Sequence, residues 1–176
     1  MKNKIKFVFD TETNGFANCS VLSISYIICK NDKILDKDTR YYFAKEPYNY
    51  HAFKVHGLDE DIIEAQRGNY QYPLNFIDDK DWLLDTFNKY NINNIVAHNL
   101  SFDLKFLPQE IKLNIENQKY DTFCTMQQNR HITDNNKAPK LIEACKLLGI
   151  EFDENKAHSS DYDTLKCYEV FLKTIN

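Results

Sequence analysis

Residues 4–15 read KIKFVFDTETNG, an apolar run that ends abruptly in two carboxylates one residue apart. Phe7, Val8 and Phe9 are apolar at consecutive positions, so both faces of the segment must be covered, as in a central strand of a largely parallel sheet. The period of two along a strand then places Asp10 and Glu12 on one face. Two carboxylates side by side repel each other, and they are costly to desolvate unless a cation lies between them. A donor set of oxygens, with no Cys or His beside it, favours magnesium or manganese over zinc. Taken alone, Asp-x-Glu is also what a strand leaves behind when it frays into a polar turn such as Thr13-Asn14-Gly15. The rest of the chain must decide.

At 176 residues the chain can bury one sizeable core, and a single domain over 1–176 is expected. Its 43% hydrophobic and 27% charged residues are those of a globular protein, and no apolar run approaches the roughly 18 residues of a membrane span. The opening MKNKIKF lacks the apolar core and small-residue cleavage site of a signal segment, so a cytoplasmic location is expected. Five Cys, widely spaced and without a C-x-x-C pair, read as reduced structural thiols. A net charge of −4 argues against a sequence-independent DNA coater with a broad basic surface. It leaves open local action on nucleic acid, and some of the 11 Tyr and 12 Phe could stack bases.

Alternating Leu22, Ile24, Tyr26 and Ile28 predict a second strand, and Asn31-Asp32 a tight hairpin into a third over 33–43. A short helix or turn is expected over 50–56, ending at Gly57, and another short helix over 59–66. Residues 68–79, GNYQYPLNFIDD, form a loop of unusual length. Trp82, Leu83, Leu84 and Phe87 predict an amphipathic helix over 81–90. Ile95-Val96-Ala97 is a short strand that gives way to a helix, with Ser101 as candidate N-cap and Asp103 in the first turn. Asp121, read as a helix cap, opens a further helix DTFCTMQQN; another covers 140–148, and the last runs from about Ser160 to Ile175. The order implies an α/β sheet in which the first and fourth strands lie parallel. Ligands gather at the carboxyl ends of such strands. Asp10 and Glu12 sit at one such end, Asp103 just past another, and Asp163 follows His158 by five residues in AHSSDYD.

On these motifs the chain resembles the DnaQ-like 3′ to 5′ exonucleases of the DEDDh type. FVFDTETNG, VAHNLSFDLKFL and HSSDYD are similar to the three family motifs, and VHGLDED at 55–61 to the V-H-G-[IL] segment. They span residues 5 to 171 in the family's order, and His158 rather than Ser159 identifies the histidine form of the third motif. The resemblance implies a ribonuclease H-like fold: a five-stranded mixed sheet, with antiparallel hairpin strands and parallel strands, flanked by helices. It implies that Asp10, Glu12, Asp103 and Asp163 hold two Mg2+ or Mn2+ ions, with His158 as general base. Thr11, Thr13, His56, Gly57, Leu58, Asn99 and Phe102 are the substrate contacts it implies. The expected activity is stepwise hydrolysis from the 3′ end of single-stranded or frayed DNA, releasing nucleoside monophosphates, in proofreading or repair. The expected partners are nucleic acid with a free 3′ end and a DNA polymerase or replication or repair protein, with no membrane.

The chemistry agrees, since two divalent ions suit in-line displacement at phosphorus and an imidazole can take a water's proton near neutral pH. Alternatives stay open at this level. One is an RNA-trimming exoribonuclease, and another is a catalytically weak nucleic-acid-binding subunit. Asp163 alone could be a first-turn acid of a helix capped by Ser160, and Asp161 is a competing ligand that only the family spacing disfavours. His98 and Asn99 could bind the strand-to-helix turn or face the nucleic acid. Within the long loop, Tyr70, Tyr72 and Phe76 could form a substrate lip, a partner-docking patch or a folded-back flap, with the flap favoured.

Overall fold

The computed structural model describes residues 4–175. Of its first three strands, β1 (Ile5–Thr13), β2 (Val21–Lys30) and β3 (Lys33–Tyr41), β2 runs antiparallel to both of the others. The two-residue link between β2 and β3 works because Asn31 takes the left-handed conformation (φ 56°) that a tight hairpin needs. β4 (Asn94–Ala97) pairs parallel with β1, and β5 (Asp121–Cys124) parallel with β4, giving one sheet in the order β3-β2-β1-β4-β5. The helices are α1 (Tyr50–His56), α2 (Glu60–Arg67), α3 (Lys80–Tyr90), α4 (Leu100–Asp103), α5 (Gln109–Glu116), α6 (Thr125–Gln128), α7 (Leu141–Leu147) and α8 (Ser160–Ile175).

β1 is the central strand, and Phe7, Val8 and Phe9 are each 0% exposed. Alternation splits them between two cores. Phe7 and Phe9 pack with Tyr26, Leu83, Phe87 and Ile95, under α3. Val8 packs with Ile27, Val96, Phe123, Tyr168 and Phe171, under α8. Each such burial contributes about 1.5–3 kcal/mol. Since Val8, Asp10 and Glu12 share a face, the same alternation that buries Val8 carries both carboxylates toward α8. Packing thus decides where the acids lie.

Two expectations change. Residues 121–124 are the edge strand β5 and not the start of a helix; only Thr125–Gln128 are helical. The backbone of Asp121–Cys124 finds its hydrogen-bond partners on β4, and the Asp121 carboxylate accepts from Lys4 Nζ rather than capping a helix. Secondly, Asn99 stands at the N-cap of α4, so Ser101 lies inside the helix and donates back to Asn99 Oδ1 at 3.4 Å.

The long segment over 68–79 folds back on the sheet edge. Phe76 opens a 3-10 turn (Phe76–Asp78) and is buried in the core under α3. Tyr72 accepts a hydrogen bond from Tyr41 N–H (3.0 Å) and stacks with Arg40, whose guanidinium lies 4.8 Å from the Tyr72 ring centroid and 3.8 Å from that of Trp82. Arg40 also pairs with Asp79 (2.7 Å). This is the flap. Of its three candidate aromatic residues only Tyr70, 71% exposed, is left for solvent. Among the described residues no helix is long and apolar enough to cross a membrane.

Candidate active site

Four elements converge at the carboxyl ends of β1 and β4. β1 delivers Asp10 and Glu12, α4 delivers Asp103 immediately after β4, and α8 with its preceding loop delivers Asp163 and His158. Ligand atoms of Glu12, His158 and Asp163 all lie within 4.8 Å of one another. Asp103 is locked from the other side: its Oδ1 accepts from the Thr11 hydroxyl (2.7 Å) and the Thr11 N–H (3.2 Å).

Asp10 lies between these groups electrostatically. Burial first, then the charges of Asp103, Glu12 and Asp163, push its carboxyl well above the ordinary range. Burial, then Asp163 and Asp103, do the same to Glu12. Burial raises Asp103 against the two Thr11 hydrogen bonds, and raises Asp163 to about 6 against the His158 N–H and the His158 charge. Among the described residues no Lys or Arg ion pair reaches any of these four acids. Asp163 Oδ2 accepts from His158 N–H (3.1 Å), while its Oδ1 is buried without a hydrogen-bond partner. An orphaned carboxylate oxygen beside three mutually repelling acids fits hard divalent cations, which relieve both the desolvation and the repulsion.

The position of α8 is fixed by hydroxyls on β2. Ser23 and Ser25 pair opposite Glu12 and Asp10 in register, so all four side chains share a face. Ser160 Oγ lies 2.9 Å from Ser23 Oγ and 2.8 Å from Ser25 Oγ, and Thr164 Oγ1 donates to Ser25 O (3.2 Å). Ser160 therefore anchors the first turn to the sheet. His158, exposed just before that turn, has φ 62°, a left-handed conformation uncommon outside Gly and Asn.

The expected substrate contacts divide. Thr11, Thr13 and Leu58 are buried and turned inward: Thr11 holds Asp103, Thr13 donates to Gly15 O (2.6 Å), and Leu58 packs with Leu22 and Ile63. Their side chains are engaged within the protein and shape the site from inside. His56 accepts from Leu58 N–H at Nδ1 (3.0 Å), which leaves Nε2 to donate to Thr13 O (3.2 Å). Burial lowers its pKa, against the Thr13 bond, and the His158 charge lowers it further. Gly57 (φ 71°) closes α1 in the left-handed form. Asn99 is exposed, but His98 is buried: it lies 2.9 Å from Thr125 Oγ1 and 3.0 Å from Pro139 O, and burial holds its imidazole down to about 4 despite the Pro139 bond. His98 is thus a structural clamp. Sequence reasoning missed Phe16. It is 83% exposed, directly past the acidic strand end, and meets Phe102 edge-on at 6.5 Å between ring centroids. An exposed Phe one residue beyond the motif was the only available signal.

A mixed five-stranded sheet with a buried acid cluster at the ends of parallel strands defines a nuclease of the ribonuclease H-like fold. A family model described as Exonuclease (RNase_T) matches residues 7–171, and the chain belongs to that family as a DnaQ-like 3′ to 5′ exonuclease. It is similar to ribonuclease T of Buchnera aphidicola subsp. Acyrthosiphon pisum, 31% identical over 184 residues, covering 96% of this chain and 81% of that protein. It is also similar to the PolC-type DNA polymerase III of Bacillus subtilis, 25% identical over 96% of this chain but only 11% of the polymerase. Among solved structures, the fold matches exonuclease X in complex with 5′ overhanging duplex DNA (TM-score 0.64, 18% identity, 97% of this chain and 92% of that one). It likewise matches the nuclease domain of 3′hExo bound to rAMP (TM-score 0.68, 12% identity, 98% and 92%).

Proposed function

We propose that this protein trims single-stranded or frayed 3′ ends one nucleotide at a time, with Asp10, Glu12, Asp103 and Asp163 as ligands of two Mg2+ or Mn2+ ions and His158 as general base. The observation that carries this reading is the meeting of Glu12, His158 and Asp163 within 4.8 Å, with Asp163 Oδ1 buried and unpartnered. Bound there, the ions would lower the pKa of the attacking water and neutralise charge at phosphorus. His158, on an exposed loop beside Glu12 and Asp163, takes the water's proton. The water oxygen bonds to phosphorus, the bond from phosphorus to the 3′ oxygen of the preceding nucleotide breaks, that oxygen takes up a proton to become the new 3′ hydroxyl, and a nucleoside 5′-monophosphate leaves. Thr11 keeps Asp103 in place, and Ser160 keeps Asp163 over the strand end. Phe16 and Phe102 offer aromatic faces and edges to the terminal bases. His56, held as an Nε2 donor to Thr13 O, fixes the Gly57 turn beside them.

Sequence alone led to an expectation of mainly DNA. Likeness to ribonuclease T over most of that protein's length supports RNA ends as well, or in preference, whereas likeness to PolC covers a small part of a polymerase. A polymerase partner rests on that second likeness only. The test uses 5′-labelled RNA and DNA oligonucleotides, single-stranded and mismatched duplex, with magnesium, with manganese and with EDTA. Ladders shortening from the 3′ end only with metal, and faster on RNA, are expected. Cleavage that persists in excess EDTA would sink the metal assignment, and shortening from the 5′ end would sink the polarity.

A further inference from the structure

Beside the active site a groove of about 950 Å3 begins at Phe16 and runs between the β1–β2 link, the 3-10 turn over Phe76–Asp78 and the start of α5. Lys45, Lys80, Lys105 and Lys112 line it, against Glu46 and Glu110. In a chain of net charge −4 this is a local excess of cations. Lys45 pairs with Asp78 (3.0 Å) and Lys80 with Glu110 (3.6 Å), whereas Lys105 and Lys112 make no ion pair among the described residues. Those two are also tied to the reacting end. Lys105 Nζ sits 5.4 Å from the Phe102 ring centroid, Phe102 meets Phe16, and Lys112 Nζ donates to Lys105 O (3.3 Å).

We propose that this groove is a second binding site, which holds the phosphodiester backbone of the substrate strand upstream of the scissile bond through Lys105 and Lys112, with Lys45 and Lys80 beside them. The inference rests on the exonuclease reading, because it needs the terminal nucleotide at Phe16 and Phe102. The physical need is plain. Four carboxylates at the reacting end repel an anionic strand, so affinity for a longer strand must come from cations placed away from them. The groove starts at Phe16, which meets Phe102, the residue before Asp103, and the exposed Ile77 on its lining offers apolar surface to unstacked bases.

The test measures binding of labelled trinucleotide and dodecanucleotide single strands by fluorescence anisotropy, without metal so that nothing is cleaved, across a salt series. The proteins are wild type, the double variant Lys105→Gln/Lys112→Gln, and Lys146→Gln on α7 as a control for loss of one surface charge away from the groove. For the double variant the dodecanucleotide should bind roughly five- to tenfold more weakly, with the salt slope reduced by about 0.7 for each lysine removed. Trinucleotide binding should fall by no more than about twofold, because so short a strand reaches little of the groove. Equal dodecanucleotide affinity for wild type and double variant, or an equal loss on the trinucleotide or in the Lys146→Gln control, would overturn the groove. Absence of cleavage by wild type would strike the exonuclease reading instead, while the binding series would still decide the groove.

Discussion

His158 separates an enzyme from a metal-binding scaffold at the scale of one residue. If it is the base, His158→Ala should keep metal and oligonucleotide binding but cut the catalytic rate by roughly 10²–10⁴, with residual activity rising with pH as hydroxide replaces the imidazole. Near wild-type turnover at pH 7, or loss of metal binding in calorimetry, would remove it from that role. Phe16 is the residue the sequence hid. Phe16→Ser should raise KM with little change in melting temperature, because an exposed ring contributes little to folding while a base stack is worth roughly 1–3 kcal/mol. A large fall in stability with unchanged KM would instead make it part of the core. The contrast with Asp10 and Glu12 is instructive. Those two were legible because strand alternation alone puts them on one face, whereas the hydrogen bond of Thr11 to Asp103, 92 positions away, was not. A contact of that separation leaves no local mark in the sequence.

At the scale of elements, long periodic segments were legible, as were short ones with an apolar run or a cap to mark them, such as β4 and α1. β1, the β2–β3 hairpin and α8 follow from burial on defined faces, and each buries enough side chain to impose its period. β5 did not, since it is four residues long and only Phe123 on it is buried. Its parallel pairing with β4 overrides the helical reading of the Asp-Thr start. The loop over 68–79 has no period, yet it packs: Phe76 fills the space under Tyr42 with ring centroids 5.4 Å apart. Phe76→Ala should therefore lower stability by about 3 kcal/mol or more while leaving the affinity for a trinucleotide unchanged. Tyr70→Ala, at an exposed position, should shift stability by no more than about 0.5 kcal/mol. Loss of trinucleotide affinity in Phe76→Ala, measured at a temperature where the variant is folded, would return the segment to a substrate lip.

For the whole molecule, the acid cluster makes stability depend on pH and on metal together. Asp10, Glu12, Asp103 and Asp163 all have folded pKa values raised above their unfolded ones, each by burial first. A raised carboxyl binds its proton more tightly in the fold, so it weakens the fold at high pH, and the weakness disappears as pH falls through the folded value. His98 acts in the opposite sense. Burial holds it neutral, down to about 4, so stability is lost as pH falls from its unfolded value of ~6.5 toward the folded one. Between pH 8 and ~6.5 the unfolded His98 only begins to charge, reaching half at ~6.5, which opposes the acids by roughly 0.4 kcal/mol there; His56, also lowered by burial, opposes them in the same sense, and the four acids outweigh both. The metal-free protein should therefore melt several degrees higher at pH 6.5 than at pH 8, at about 2–4 °C per kcal/mol for a chain of this size. Saturating magnesium should raise the melting temperature throughout and flatten that slope, because bound cations displace the same protons. Asp10→Asn should flatten it without metal, and should be more stable than wild type at pH 8 in EDTA because one of the repelling charges is gone. A metal-free melting temperature that is level or falling from pH 8 to 6.5, with Asp10→Asn less stable than wild type in EDTA, would mean that the cluster is held by protein contacts alone.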